Sequence, residues 1–524
     1  MKKIIYIYSV IFISLGIISC KNTLLEQAPI DAISEVAVWS DIKLARLYVN
    51  DLYNGLPDGL SDWAMLDAAS DDADNTFGWP NPPRLNQSDY SPSGFPYSDN
   101  WGKYYGYIRR ANIALERIDA VKGDTAIKTS LKGEIIFLRA MYYFELTKFW
   151  GGIPLITKVQ QLNDSLNVTR NTYNECVDFI SSECNKAIPL LSLKSSGENK
   201  GRIDKGSAMS LKARVLLYSG RWAEAAAAAK AVIDMNQYSL ESNYSDIFLT
   251  RSSNEVILAK QHINITGQNT NNVDKFSNPS SYGGWGGTTP TQEFVDSYEM
   301  TDGKSITASP LYNDQDPYKN RDPRFYETVN YNGAIWKGKA LDSKVGGTDG
   351  PQGPSGGDAS KTSYYMRKWL TESIKSPFNE ENLTNWVIFR LAEMHLIYAE
   401  AQNEVVGPDP SVYNAVNAVR ARSKMPNLPA GLSKDEMRIR IRNERRVELA
   451  FEDHRFFDIR RWKIAESLLN GDLHGMSITV NPDNTLKYTK IVFTTRKFFP
   501  KNYLLPIAQS EIVKDPKLVQ NPGY

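Results

Sequence analysis

The residues of this chain whose types and spacing could do chemistry form two acidic clusters. The first is Asp58, Asp62, Asp67, Asp71, Asp72 and Asp74, followed by Asn75. Two such carboxyl groups flanking a glycosidic bond would act as acid and as base or nucleophile. The same oxygens could instead cap loop turns, hold a structural calcium ion or accept from ligand hydroxyls. Their spacing is not that of a calcium-binding helix–loop–helix. The second cluster is Glu448, Glu452 and His454, inside the run IRIRNERRVELAFEDHRFFDIRRW from Ile439 to Trp462. A metal or acid–base role needs this set to stand apart from other charges. Every carboxylate here has an arginine within one helical turn, so a structural lattice of ion pairs on a half-buried helix is the expectation. No HExxH, GxSxG, Walker A or helix-opening GxGxxG motif occurs, and no catalytic residue, cofactor or metal site is expected.

Aromatic residues make a different offer. They are 11% of the chain, with 28 Tyr and 11 Trp. Flat rings match the C–H faces of a sugar, while Asp, Asn and Arg match its hydroxyl rim. Residues 54–100 lose helical period and offer Trp63, Trp79, Tyr90, Tyr97 and Trp101, interleaved with Asp71, Asp72, Asn75, Arg84 and Asn100. A second aperiodic stretch carries SYGGWGG, in which four glycines would leave Tyr282 and Trp285 accessible, and later Trp336. Trp79 and Trp285 have no apolar period around them and are the leading ligand contacts. Trp101 opens a helix and is the most structural of the set.

Helices must position these loops. Apolar spacing predicts helices over Val36–Tyr53, Trp101–Ala120, Ile127–Trp150, about 172–191, Ser207–Tyr218, Trp222–Asp234, Trp386–Glu404 and Ser411–Ser423. Gly151-Gly152 and Pro154 stop the third. His395 lies on an apolar stripe and reads as a core or groove residue. Leu216, Gly220, Trp222, Ala225 and Ala229 alternate small and large as tetratricopeptide-type helix pairs do. The fold class expected is mostly α: a helix-pair solenoid over about 36–240 and 386–465, a loop-rich insert over about 241–385, and a C-terminal hairpin and tail over 466–524. The hairpin signal is Ile478–Val480 and Tyr488–Phe493 around Asn481-Pro482-Asp483-Asn484. Short strands are expected at Glu255–Lys260 and Tyr364–Trp369, and Asp342–Thr362 reads as a mobile low-complexity loop. Cys176 and Cys184, eight helical residues and ~12 Å apart, cannot form a disulfide and read as buried apolar groups.

The net charge of +1 gives no nucleic-acid footprint. Lys2-Lys3, the apolar Ile4–Ile18 and Ile17-Ile18-Ser19-Cys20 read as a lipoprotein signal peptide over 1–19, with Cys20 as the acylated residue and 20–35 as a tether.

The run Ile439–Trp462 resembles the signature of the SusD/RagB family, outer-membrane nutrient-binding lipoproteins. GEIIFLRAMYYFELTKFWGGIPL, FRLAEMHLIYAEAQ, LLPIAQSEI and the terminal QNPGY resemble that family as well. The resemblance implies a tetratricopeptide-like scaffold without catalysis, lipid-anchored in the outer membrane and facing the cell surface. It implies an oligosaccharide ligand and a SusC-like TonB-dependent transporter as partner. The alternatives are a RagB-like peptide binder and an enzyme acting on polysaccharide.

Overall fold

The computed structural model describes residues 35–524 apart from 162, 165, 166 and 264–270. The signal peptide, Cys20 and most of the tether therefore lie outside the described residues. The architecture is mostly α, as expected. The longer helices are α1 (Ile42–Leu52), α2 (Asp99–Arg117), α3 (Thr125–Trp150), α4 (Tyr173–Ala187), α5 (Lys205–Tyr218), α6 (Trp222–Asp234), α7 (Leu391–Val406), α8 (Pro410–Arg422), α9 (Lys434–Glu448) and α10 (His454–Arg461). Local signals start and stop them. Asp124 accepts from the Ile127 N–H at the start of α3, Thr172 and Glu175 form a reciprocal capping box on α4, and Ser433 and Glu436 form another on α9.

Helix α3 is the central post. From Leu131 to Trp150 nearly every residue is buried, and the charged ones among them are paired: Glu134 with Arg202, Arg139 with Glu183 and Glu145 with Lys148. Helices α2 to α6 pack on one another in chain order, and α7 then packs on α6. The insert between them thus leaves the helical stack without interrupting it. The two cysteines are buried and unpaired.

Strands are paired in twos and, outside the C-terminal hairpin, are short. Those that matter for the site are β1 (Ala73–Asn75), β2 (Val256–Lys260), β3 (Thr288–Pro290), β4 (Trp386–Arg390), β5 (Gly471–Val480) and β6 (Leu486–Arg496). Strands β5 and β6 form the expected C-terminal hairpin. Strand β4 corrects the expectation of a helix beginning at Trp386. Its five residues are all buried and pair antiparallel with β2, so tertiary pairing takes over an apolar run that would also suit a helix. The segment 342–362 is packed. Asp349 is buried and accepts from the Ser281 N–H at 2.9 Å and hydroxyl at 2.6 Å. A Cβ at Gly350 would fall 1.8 Å from the Lys344 carbonyl oxygen, so glycine here serves close backbone approach.

The Arg/Glu run is two helices. Helix α9 ends at Glu448, Phe451 and Asp453 take left-handed φ values of 55° and 61°, and α10 starts at His454. The side chain of Asp67 accepts from the N–H groups of Phe451 at 3.3 Å and Asp453 at 3.2 Å. The Asp453 side chain accepts in return from the Leu66 N–H at 3.1 Å. The loop before β1 is thereby clasped to the break.

The ion-pair lattice is present: Asp458 pairs within the run, with Arg445 at 3.1 Å and Arg461 at 2.8 Å, but the cations of Glu444, Glu448 and Glu452 come from elsewhere. Glu448 pairs with Arg324 at 2.9 Å, Arg390 at 2.6 Å and Arg422. Glu452 pairs with Arg390 at 2.8 Å and Lys368 at 2.7 Å, and Glu444 with Arg324 at 2.6 Å and Arg420 at 2.9 Å. Burial would raise the Glu448 carboxyl, but Arg422, Arg390 and Arg324 outweigh it and hold the group well below the usual range. Arg324 and Lys368 belong to the insert, so the lattice bolts insert to stack. His454 is buried, and desolvation together with nearby arginines keeps its imidazole neutral. Among the described residues no group of His, Cys, Asp and Glu stands close enough to hold a metal ion, and no helix is long and apolar enough to cross a membrane.

Candidate functional site: an aromatic face shared by the first loop and the insert

Strand β1 pairs antiparallel with β3, with Asn75 opposite Thr288. The pairing runs on as Thr76 N–H donates to the Gly287 carbonyl at 2.9 Å, while the Met65 N–H donates to the Thr288 hydroxyl at 3.1 Å. Segments far apart in sequence are therefore laid side by side, and the indoles they carry meet. Trp63 stacks on Trp285 with centroids 5.2 Å apart and planes at 13°. Trp79 meets Trp63 edge-on at 4.8 Å and 70°. Phe276 stacks on Trp63 at 4.0 Å, and Phe378 tilts against Trp285 at 5.6 Å.

Exposure separates platform from support. Trp79 is 53% exposed, Phe378 52% and Trp63 42%, whereas Trp285 is half-buried and Phe276 buried. Clustered exposed rings of this size on a soluble face mark a contact surface. The glycines beside Trp285 do not bare it, as the sequence suggested. They let backbones touch: a Cβ at Gly286 would sit 2.4 Å from the Asp358 carbonyl oxygen and one at Gly284 2.3 Å from that of Asn278.

The other expected ligand residues divide. Arg84, Tyr97 and Asn100 line an open cleft of about 560 Å³ that reaches the platform at Asp62 and Ala64, the neighbours of Trp63. Trp101, Tyr282 and Trp336 are instead core residues, which corrects their expected ligand role. Trp101 packs on Trp150 at 5.5 Å, the Tyr282 hydroxyl donates to the Lys339 carbonyl at 3.3 Å, and the Trp336 indole N–H donates to Asn278 at 2.9 Å. Buried Trp and Tyr keep their polar tips bonded in this way.

Asp71 and Asp72 are also corrected. Both are buried and bound to arginines of α9 and α10: Arg455 lies 2.8 Å and Arg446 3.1 Å from Asp71, and Arg446 2.6 Å from Asp72. Burial favours the acid form of Asp71, but Arg455 and Arg446 overcome it and keep the carboxylate ionised. At Asp72 burial and the charge of Asp71 win, and its carboxyl is raised. A pair locked this way cannot flank a sugar as acid and nucleophile. Asn75 is buried, its side-chain oxygen accepting from the Phe77 N–H at 2.9 Å. Sequence reasoning missed Phe276 and Phe378, because a lone Phe in a polar loop carries no period.

The comparisons with known proteins agree with this architecture. A model described as the SusD family matches residues 252–524, and one described as starch-binding associating with outer membrane matches residues 25–217. A SusD-like protein P38 of Formosa agariphila is 25% identical over all of both chains. The crystal structure of a SusD-like protein from Bacteroides fragilis superposes with a TM-score of 0.83 at 32% identity, over 95% of this chain and 100% of the other. A SusD-like carbohydrate binding protein from Bacteroides fragilis gives a TM-score of 0.81 at 25% identity, over 92% of this chain and all of that one. With a family model matched over more than half of its length, the chain belongs to the SusD family.

Proposed function

We propose that this SusD-family protein captures oligosaccharides on the Trp63, Trp79, Trp285 and Phe378 face. In this reading it is a lipoprotein acylated at Cys20, held in the outer membrane at the cell surface, that passes its ligand to a SusC-like TonB-dependent transporter without altering it. The observation that carries the reading is the meeting of exposed indoles from two distant segments on one face. The carbohydrate-binding title of a structural relative and the starch-binding description of the matched family model support it.

Calorimetry on soluble protein starting at residue 21 tests the binding, after a glycan array selects the ligand. Saturable binding that Trp79→Ala weakens supports the proposal, and binding that Trp79→Ala leaves intact removes the platform from it. Purified protein should release no reducing ends from a bound glycan. Turnover that survives further purification and stays in constant proportion to the protein would establish an enzyme instead.

A further inference from the structure

The first loop is fastened to the insert shortly before Trp63, and the fastening runs through one histidine. His262 follows β2, and its ring is wholly buried. Its Nδ1 lies 2.7 Å from the Thr384 carbonyl oxygen, just before β4, and its Nε2 lies 2.9 Å from the Asp58 carboxylate in the first loop. That carboxylate also accepts from the Leu60 N–H at 3.1 Å and the Ser61 hydroxyl at 2.7 Å, so it ties down residues 58–61. The same residues have two further holds on the rest of the chain. The Asn272 N–H donates to the Leu60 carbonyl at 3.1 Å. A Cβ at Gly59 would fall 2.7 Å from the Trp386 ring, so the backbone there lies directly on that indole.

Hydrogen counting fixes the state of the ring. A carbonyl oxygen only accepts, so Nδ1 carries a hydrogen. An ionised carboxylate also only accepts, and Asp58 is ionised. Burial would raise its carboxyl, but the His262 ring, the Ser61 hydroxyl and the Leu60 N–H hold it below the usual carboxylate range. Nε2 therefore carries a hydrogen too, and the ring is an imidazolium. Moving that proton onto Asp58 would leave the count for the pair unchanged, so the bridge stands only while this one proton is present. Without it, a lone pair on the ring faces either the carboxylate or the carbonyl. The charged groups around the pair are Asp62 and Lys260, which face Asp58, and Lys103, which faces those two.

We infer that His262 is a positioning residue for the ligand face: a buried, proton-carrying clamp that fixes the first loop, and with it Trp63, against the insert and releases them as pH rises. Its effect on binding rests on the saccharide-capture reading above; the clamp itself does not. The bridge contributes in full while the ring holds both hydrogens and fails as pH rises and one leaves. At the acid end it fails only when Asp58 takes up a proton, below the ordinary carboxylate range.

Two variants separate a proton-dependent clamp from a plain core contact. Asp58→Asn offers a carboxamide N–H to an unprotonated Nε2 and so keeps a bridge that needs no extra proton. Asp58→Ala has no bridge at any pH. Ring-nitrogen NMR of the ligand-free protein reads the state of His262, one of four histidines, identified by its shift in Asp58→Asn. At about pH 5.5, below the ordinary histidine value, both nitrogens of wild type should carry hydrogen. Hydrogen exchange over residues 56–66 reads the loop. At about pH 8.5 it should be roughly tenfold faster in wild type than in Asp58→Asn, and at the lower pH the two should match. Asp58→Ala should exchange fast at both. Comparing variants at one pH cancels the intrinsic exchange rate and the titration of Asp62 and Asp453. An unprotonated His262 nitrogen at the lower pH, or one ratio of wild type to Asp58→Asn at both pH values, overturns the clamp. Calorimetry with malto-, cello- and laminari-hexaose carries the test to the ligand. In the series that binds, wild-type affinity should fall roughly tenfold between the two pH values, and that of Asp58→Asn should hold. Equal losses in the two proteins would mean that the clamp does not position the ligand face. Binding of no hexaose overturns the saccharide reading alone, and the ring and exchange data still decide the clamp.

Discussion

Trp63 and Trp285 lie ring over ring, 13° from parallel and 5.2 Å apart, although one belongs to the first loop and the other to the insert. Their contact joins the two segments that build the proposed ligand face. Trp79 meets the same assembly through a T-shaped contact with Trp63 and a tilted one with Phe77 at 6.2 Å.

That difference predicts different outcomes on truncation. Trp79→Ala removes an exposed ring with few contacts and should weaken ligand binding by roughly 1–3 kcal/mol with little change in melting temperature. Trp285→Ala also strips support from Trp63, Phe276 and Phe378, so it should cost affinity and stability together. Calorimetry paired with thermal unfolding separates the two. Equal loss of stability in both variants would mean that Trp79 is a core anchor.

The lattice around Glu448 should be unforgiving. Glu448→Gln removes one negative charge shared by the buried Arg324, Arg390 and Arg422, which keep only Glu444, Glu452, Glu255 and Asp322 between them. Breaking such a buried set costs about 3–5 kcal/mol, read by chemical denaturation. Because Arg324 lies in the insert, protease cleavage of the insert should appear before global unfolding. A variant as stable as wild type would show the lattice to be dispensable.

The Asp453 carboxyl gives a pH prediction. Burial pushes it up to about 7, with Asp62 and Glu145 adding to the shift and Lys148 and the Leu66 N–H opposing it; Asp67 and Tyr97 also face it. Its folded pKa exceeds the ordinary value of about 3.9, so the native state holds the proton more tightly. Stability from this group falls as pH rises from about 4 to about 7 and is level above that. Asp453→Asn keeps an acceptor for Leu66 and tolerates a left-handed φ. It should gain on the order of 1 kcal/mol at pH 8 and nothing at pH 4, seen as a flatter stability–pH curve. A variant that parallels wild type across that range would place the proton elsewhere.

Anchoring is expected to depend on one atom, the Cys20 sulfur. Cys20→Ala should give protein without acyl label, recovered in the periplasm or medium. Labelled lipid on that variant would end the lipoprotein reading.

Much of this molecule was determined by sequence alone, because its signals are local. Cap residues and periodic apolar positions set the ends of α3, α4 and α6 to within a few residues. The Asn-Pro-Asp-Asn turn marks the C-terminal hairpin. Trp79 and Trp285 stood out because no period surrounds them. Tertiary structure decided what depends on partners distant in the chain. The Asp67 carboxylate receives two N–H groups at the break after Glu448 and so ends a helix that the Arg/Glu pattern would carry through. Strand β2 claims residues 386–390 from α7. Arg446 and Arg455 turn Asp71 and Asp72 from candidate ligand groups into buried struts. The exposure of a ring is likewise a property of what packs on it, which is why Trp101 and Trp336 lie in the core while Trp79 faces solvent.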